Sequence, residues 1–136
     1  MGFVFEDITL RNSSDVTNAA TGIIEESDIR QKTVKVLVDT GCYSIVISAE
    51  LCKELGLRVK GKKGAWLANN ERIICEQTDG VEICWKDRNT ILPALVIPDR
   101  PYVLLGALPL EAMDLIVDPV REKLTGAHGD EWINQI

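Results

Sequence analysis

Apolar residues in this chain come in short runs rich in β-branched and aliphatic side chains, most of them ending at or next to Gly, Pro, Asn or Asp. Residues 33–38 (TVKVLV), 43–48 (YSIVIS), 81–85, 90–97 and 102–105 are of this kind. Runs of this length and composition suit strands of a small β-domain, and none approaches the roughly 20 apolar residues of a bilayer-spanning helix. At 136 residues and 46% hydrophobic content the chain fits one domain, with enough apolar surface for one core.

Residues 3–11 alternate loosely between apolar and polar positions and predict a first strand, ending in a turn at Asn12-Ser13-Ser14-Asp15. The polar segment 16–31 reads as a loop or an irregular hairpin. After the runs 33–38 and 43–48, Ser48 is placed to cap a short helix whose stop signal is Gly56, with Leu51 and Leu55 facing the core. Gly61 and Gly64 break the chain, and Lys60, Lys62 and Lys63 around them read as a solvated loop. A hairpin follows, with Ala65-Trp66-Leu67 as one arm, Asn69-Asn70 at the turn and residues 72–75 as the return, and Trp66 as a packing residue.

Residues 81–85 and 90–97 predict another hairpin, in which Pro93 demands an edge position or a bulge. The run 102–105 enters Gly106, residues 109–113 predict a short helix, and 115–117 a strand stopped by Asp118-Pro119. The chain divides into a domain over 1–124 and an extension over 125–136. That tail is polar and Gly-containing, and its Trp132 and Ile133 call for an apolar partner, a second subunit being the candidate.

Several function classes lose support. Fifteen Lys and Arg against 21 Asp and Glu leave a net charge of −6, which disfavours nucleic acid as a partner. The opening residues lack a secretory pattern and Glu6 stands where a myristoylation signal needs Ser or Thr, so neither export nor membrane attachment is expected and the chain reads as cytoplasmic. Cys42, Cys52, Cys75 and Cys84 have no CxxC spacing and His128 is the single histidine, so no metal and no cofactor is expected. The thiols read as free, with a Cys75–Cys84 bridge between neighbouring strands as the alternative. His128 itself reads as a surface residue of the tail.

One carboxylate stands out. Asp39-Thr40-Gly41 follows the apolar strand VKVLV and precedes a second apolar run, which puts Asp39 at a strand-to-turn junction between hydrophobic walls. Gly41 suits a tight turn and a close backbone approach. Two carboxylates at such a place would share one proton and could activate water.

In these segments the chain resembles the retropepsin-like aspartic peptidases, especially their small prokaryotic single-domain members, over residues 3–124. The resemblance rests on Val36-Leu37-Val38-Asp39-Thr40-Gly41, on Trp66-Leu67-Ala68-Asn69-Asn70-Glu71-Arg72, and on Val103-Leu104-Leu105-Gly106 followed by Leu110-Glu111-Ala112-Met113, with Val117-Asp118-Pro119-Val120-Arg121 as a closing strand. It implies a mostly β, closed barrel with a flap hairpin and one or two short helices, working as a C2 homodimer on peptide or protein substrates. Asp39 would supply the catalytic carboxylate, Thr40 a hydrogen bond across the dimer and Gly41 the turn. Leu67, Ala68, Asn69 and Asn70 would form the substrate-covering flap, and Leu105 and Gly106 the supporting loop. The chain holds no second Asp-Thr-Gly or Asp-Ser-Gly, so a second catalytic Asp has to come from another copy. Cys42 departs from the Ala or Ser usual after the triplet, and the Asn-Asn flap turn departs from Gly-rich or Asp-Gly turns. The activity implied is that of an aspartic endopeptidase. The alternative is a peptidase-like dimeric binding or assembly module without turnover.

Overall fold

The short β-branched runs curl into a sheet whose first strand meets its fifth. The computed structural model describes residues 3–98 and 100–136, and among them the elements run β1 (Val4–Asn12), α1 (Ser13–Ala20), a 3-10 turn (Glu26–Asp28), β2 (Gln31–Val38), β3 (Ile45–Ile47), α2 (Ala49–Glu54), β4 (Val59–Trp66), β5 (Arg72–Trp85), β6 (Arg88–Val96), β7 (Val103–Leu105), α3 (Ala107–Ala112), β8 (Leu115–Asp118) and β9 (Lys123–Gly126). Strand order is β1-β2-β7-β3-β6-β5-β4, and β1 also pairs with β5 from Thr9↔Cys84 to Asn12↔Val81. Six strands therefore close into a mixed barrel, with β2·β7 and β3·β6 parallel, and β4 stands outside the ring as the free arm of a hairpin on β5.

The strand period of two fills the barrel from alternate positions. Ile8 and Leu10 of β1, Val36 of β2, Ile45 and Ile47 of β3, Val81 and Ile83 of β5 and Leu105 of β7 are all fully buried. Each such aliphatic side chain contributes about 1.5–3 kcal/mol on leaving water. Helix α2 closes one end with Leu51 and Leu55, as its spacing predicts. Ser48 accepts from the Leu51 amide at 3.1 Å. At the other end Gly56 (φ 61) donates to Lys53 and Leu57 to Cys52, the paired bonds of a Schellman stop.

The expected turn at residues 12–15 is instead the start of a helix. Asn12 caps α1 by accepting from the Asp15 amide (3.1 Å) and reaches with its own amide to the Leu55 carbonyl (2.9 Å). Buried Asp15 then takes a two-pronged hydrogen bond from Arg30 (2.8 and 2.9 Å), which ties the helix to the entry of β2. Polar cap chemistry, and not an apolar stripe, holds the helix, which is why periodicity missed it.

Lys60, Lys62 and Lys63 lie on β4 and not in a loop. Their exposure follows from the edge position, where lysines discourage pairing with another chain. Trp66 is 71% exposed and so is not a packing residue. The four thiols are free, and Cys75 and Cys84 sit on one continuous strand, β5, so they cannot bridge as cross-strand neighbours.

Pro93 meets its bulge. The β5·β6 register shifts between Gln77 and Gly80, Pro93 lies opposite Gly80, and the buried Thr78 hydroxyl accepts from the Ala94 amide at 3.0 Å. This bulge lets one long strand change partners along one edge, β4 beside its first half and β1 beside its second, while β6 runs along the other edge on both sides of the bulge.

The tail packs on its own chain. β9 crosses the expected boundary at residue 124 to pair with β8, with Leu124 buried. Arg88, 2% exposed, donates to the carbonyls of Met113, Asp114, Gly129 and Glu131 at 2.8–3.1 Å. Trp132 donates to the Ala112 carbonyl at 3.2 Å, and both Trp132 and Ile133 stay partly exposed. His128 is held by Asp114 at 2.7 Å.

Candidate active site

Asp39 is placed by β2 and by the strand beside it. The β2·β7 ladder pairs Val38 with Leu105, and the Asp39 amide extends it by donating to the Leu105 carbonyl at 3.0 Å. The chain then turns. Cys42 donates to the Asp39 carbonyl, and the Gly41 amide donates to Asp39 Oδ1, both at 3.0 Å. Gly41 is outside the left-handed region; its lack of a side chain matters because a Cβ there would sit 3.2 Å from the same carboxylate oxygen. Asp39 is half-buried and Thr40 exposed, and among the described residues the Thr40 hydroxyl has no hydrogen-bond partner.

The loop after the turn is fixed from below. Gly106, Ala107 and Leu108 donate their amides to the carbonyls of Ser44, Cys42 and Tyr43 at 2.8–2.9 Å. The opening of α3 thus grips three successive peptides of the Asp39 loop. Gly106 is required by close approach: a Cβ would lie 2.5 Å from the Cys42 carbonyl oxygen and 2.7 Å from the Tyr43 carbonyl carbon. Fully buried Leu105 anchors the same segment in the core.

The β4–β5 hairpin stands opposite. Its turn is closed by Leu67 donating to Glu71 (2.8 Å) and Asn70 to Leu67 (2.9 Å), with Asn70 at φ 69 and Asn69 Oδ1 accepting from the Glu71 amide. Asn therefore does the work expected of Gly in this turn. Between hairpin and Asp39 loop lies a cleft of about 500 Å³ lined by Asp39, Gly41 and Cys42 on one side and by Trp66, Leu67 and Ala68 on the other. Asn69 and Asn70 shape the tip without lining it.

Sequence reasoning missed the floor and the charges. Val46, Leu95, Ile97 and Leu104 make the floor apolar, and Lys63 and Arg100 also line the cleft. Lys63 shares a face with Ala65, a parity that exists only because β4 extends back through the lysines that the sequence reads as a loop. Arg100 lies outside any periodic element, and only the fold brings it in.

Cys42 sits against the carboxylate without activation. Burial pushes its thiol above the ordinary value, and the Asp39 charge adds to the shift. A protonated thiol is a poor nucleophile at neutral pH. Among the described residues no cluster of His, Cys, Asp and Glu side chains is placed to hold a metal ion.

Residues 26–107 match the family model described as aspartyl protease, and the chain belongs to that family. No curated protein matches the sequence significantly. Solved structures share the fold: EIAV protease complexed with the inhibitor HBY-793 (TM-score 0.54, 19% identity, 77% of this chain and 82% of that one), the retroviral protease-like domain of Ddi1 from Leishmania major (0.57, 14%, 92% and 88%), and a retropepsin-like aspartic protease from Rickettsia conorii (0.52, 18%, 86% and 77%). The barrel is thus a retropepsin-like fold.

Proposed function

We propose that the protein is an aspartic endopeptidase whose site forms when two copies bring their Asp39 carboxylates together. The observation that carries this reading is the placement of Asp39: a ladder-fixed, half-buried carboxylate facing a cleft under a hairpin, in a chain with one such triplet. Phe3 (78% exposed) and Phe5, stacked edge-on against Tyr102 at 5.1 Å, lie at the end of the barrel from which Asp39 emerges, since Val4 pairs with Val38. A second copy would cover this apolar edge, and Thr40 would find its hydrogen-bond partner there.

The chemistry follows from two carboxylates sharing one proton, for which aspartic proteases are the type case. The ionised Asp39 takes a proton from water as its oxygen attacks the peptide carbonyl carbon. The protonated one gives its proton to the carbonyl oxygen. Collapse of the tetrahedral diol then breaks the C–N bond as the amine receives a proton. Peptide would lie extended in the cleft, with Leu67 and Ala68 above it.

Asp39→Asn is nearly isosteric and removes the base. The expected result is loss of essentially all cleavage of a peptide panel, with the sedimentation coefficient of a dimer preserved. Cys42→Ala should keep activity. An Asp39→Asn protein that still cleaves, or a strictly monomeric active species at micromolar concentration, would refute the proposal. The alternative, a peptidase-like binding module, draws on the unusual Cys42 beside the triplet. It requires a statine-type peptide to bind the dimer while no peptide is cut.

A further inference from the structure

The cleft has a charge pattern of its own. The chain carries a net −6, yet among the described residues lining the cleft the cations are Lys63 and Arg100 and the single anion is Asp39. Lys63 lies opposite Cys75 on the inward face of the hairpin. Arg100 approaches from the segment before β7, near enough for its charge to act on the Cys42 thiol, against the action of Asp39. Both side chains are exposed, and among the described residues neither pairs with a carboxylate, unlike Arg11, Arg30, Lys32, Arg58 and Arg121. Among the described residues, these two cations therefore line an aliphatic-floored cleft with no carboxylate partner of their own.

We infer that Lys63 and Arg100 make this cleft selective for acidic peptides: segments that place an apolar residue on the floor of Val46, Leu95 and Leu104 and Asp or Glu within a few residues of it. This rests on the peptidase reading of the same cleft. In a two-copy site the effect doubles, because four cations surround two carboxylates that share a proton. A peptide with Lys at those positions meets like charge, which turns modest attraction into discrimination.

The test uses matched peptides with Leu or Phe at the centre and Glu, Gln or Lys at the flanking positions. They are assayed at pH 6, where peptide carboxylates are ionised. Hydrolysis by the native protein is followed as kcat/KM. Binding to the Asp39→Asn protein is followed by fluorescence anisotropy, so that affinity is read where no cleavage occurs. Exposed pairs of this kind support roughly a tenfold preference for Glu over Lys peptides in either assay, reduced by 0.5 M salt. The double variant Lys63→Glu, Arg100→Glu should reverse the order. Equal affinity for the three peptides, no binding of any, or a preference that survives the double variant would overturn the inference. Charge-blind cleavage would leave the peptidase reading standing, and charge-selective binding without turnover would leave the inference standing alone.

Discussion

Gly106→Ala places one methyl group in the tightest contact of the site. The backbone there (φ −91, ψ −170) is open to any residue, so the cost is steric and not conformational. The added carbon would sit 2.5 and 2.7 Å from backbone atoms of Cys42 and Tyr43, and backbone cannot swing aside as a side chain can. Two responses are available. Either the contact stays and the strain reaches the upper end of the ~1–3 kcal/mol typical of overpacking, or the loop retreats and stretches three hydrogen bonds worth about 1 kcal/mol each. Ala recovers about 0.4–1 kcal/mol by restricting the unfolded chain, so the net loss is about 2 kcal/mol by either route. For a domain of this size that is a fall in Tm of roughly 8 °C. Urea denaturation should show a lower midpoint at constant slope, and peptide cleavage should fall as well, because the displaced loop carries Asp39. Gly61→Ala is the control: nothing lies within 4 Å of its Cβ position, and its stability should stay within about 0.5 kcal/mol of native. A Gly106→Ala protein as stable as the control would refute the account of how the loop is held.

Arg88→Met keeps bulk but strips four carbonyls of their donor, and should cost about 3 kcal/mol, with amide hydrogen exchange over residues 126–131 rising first. Asp15→Asn should cost about 1–2 kcal/mol at pH 7, modest because Arg30 is half exposed. The hydrogen bond from Arg30 holds the Asp15 carboxyl below its ordinary value. Its contribution is therefore complete above about pH 5 and is lost as pH falls below the ordinary 3.8 through the lowered value, so the two proteins should converge in acid urea titrations. Burial, with Glu82 beside it, pushes the Cys84 thiol up to about 12, and burial raises Cys42, Cys52 and Cys75. Native protein should resist iodoacetamide at pH 8, and unfolding should release four reactive thiols.

Much of this protein is local and therefore legible in the sequence. Residues 33–38 run into Asp39-Thr40-Gly41 as a strand into a turn because β-branched residues and glycine have preferences that need no partner. Ser48 and Gly56 bound α2 for the same reason, and Asn70 adopts the positive φ its side chain tolerates. What escaped is what depends on distant neighbours. Helix α1 stands on Asn12 reaching Leu55 and on Asp15 holding Arg30, contacts between segments that a single-chain pattern does not relate. The lysines of β4 look like a loop until the hairpin makes them an edge. Arg88, near the middle of the sequence, is a core residue only because the tail returns to wrap it. The closure of β1 onto β5, the gathering of Lys63, Arg100 and Asp39 in one cleft, and the grip of Gly106 on residues 42–44 were decided by tertiary structure alone, since each joins residues whose local conformations would be satisfied without the other.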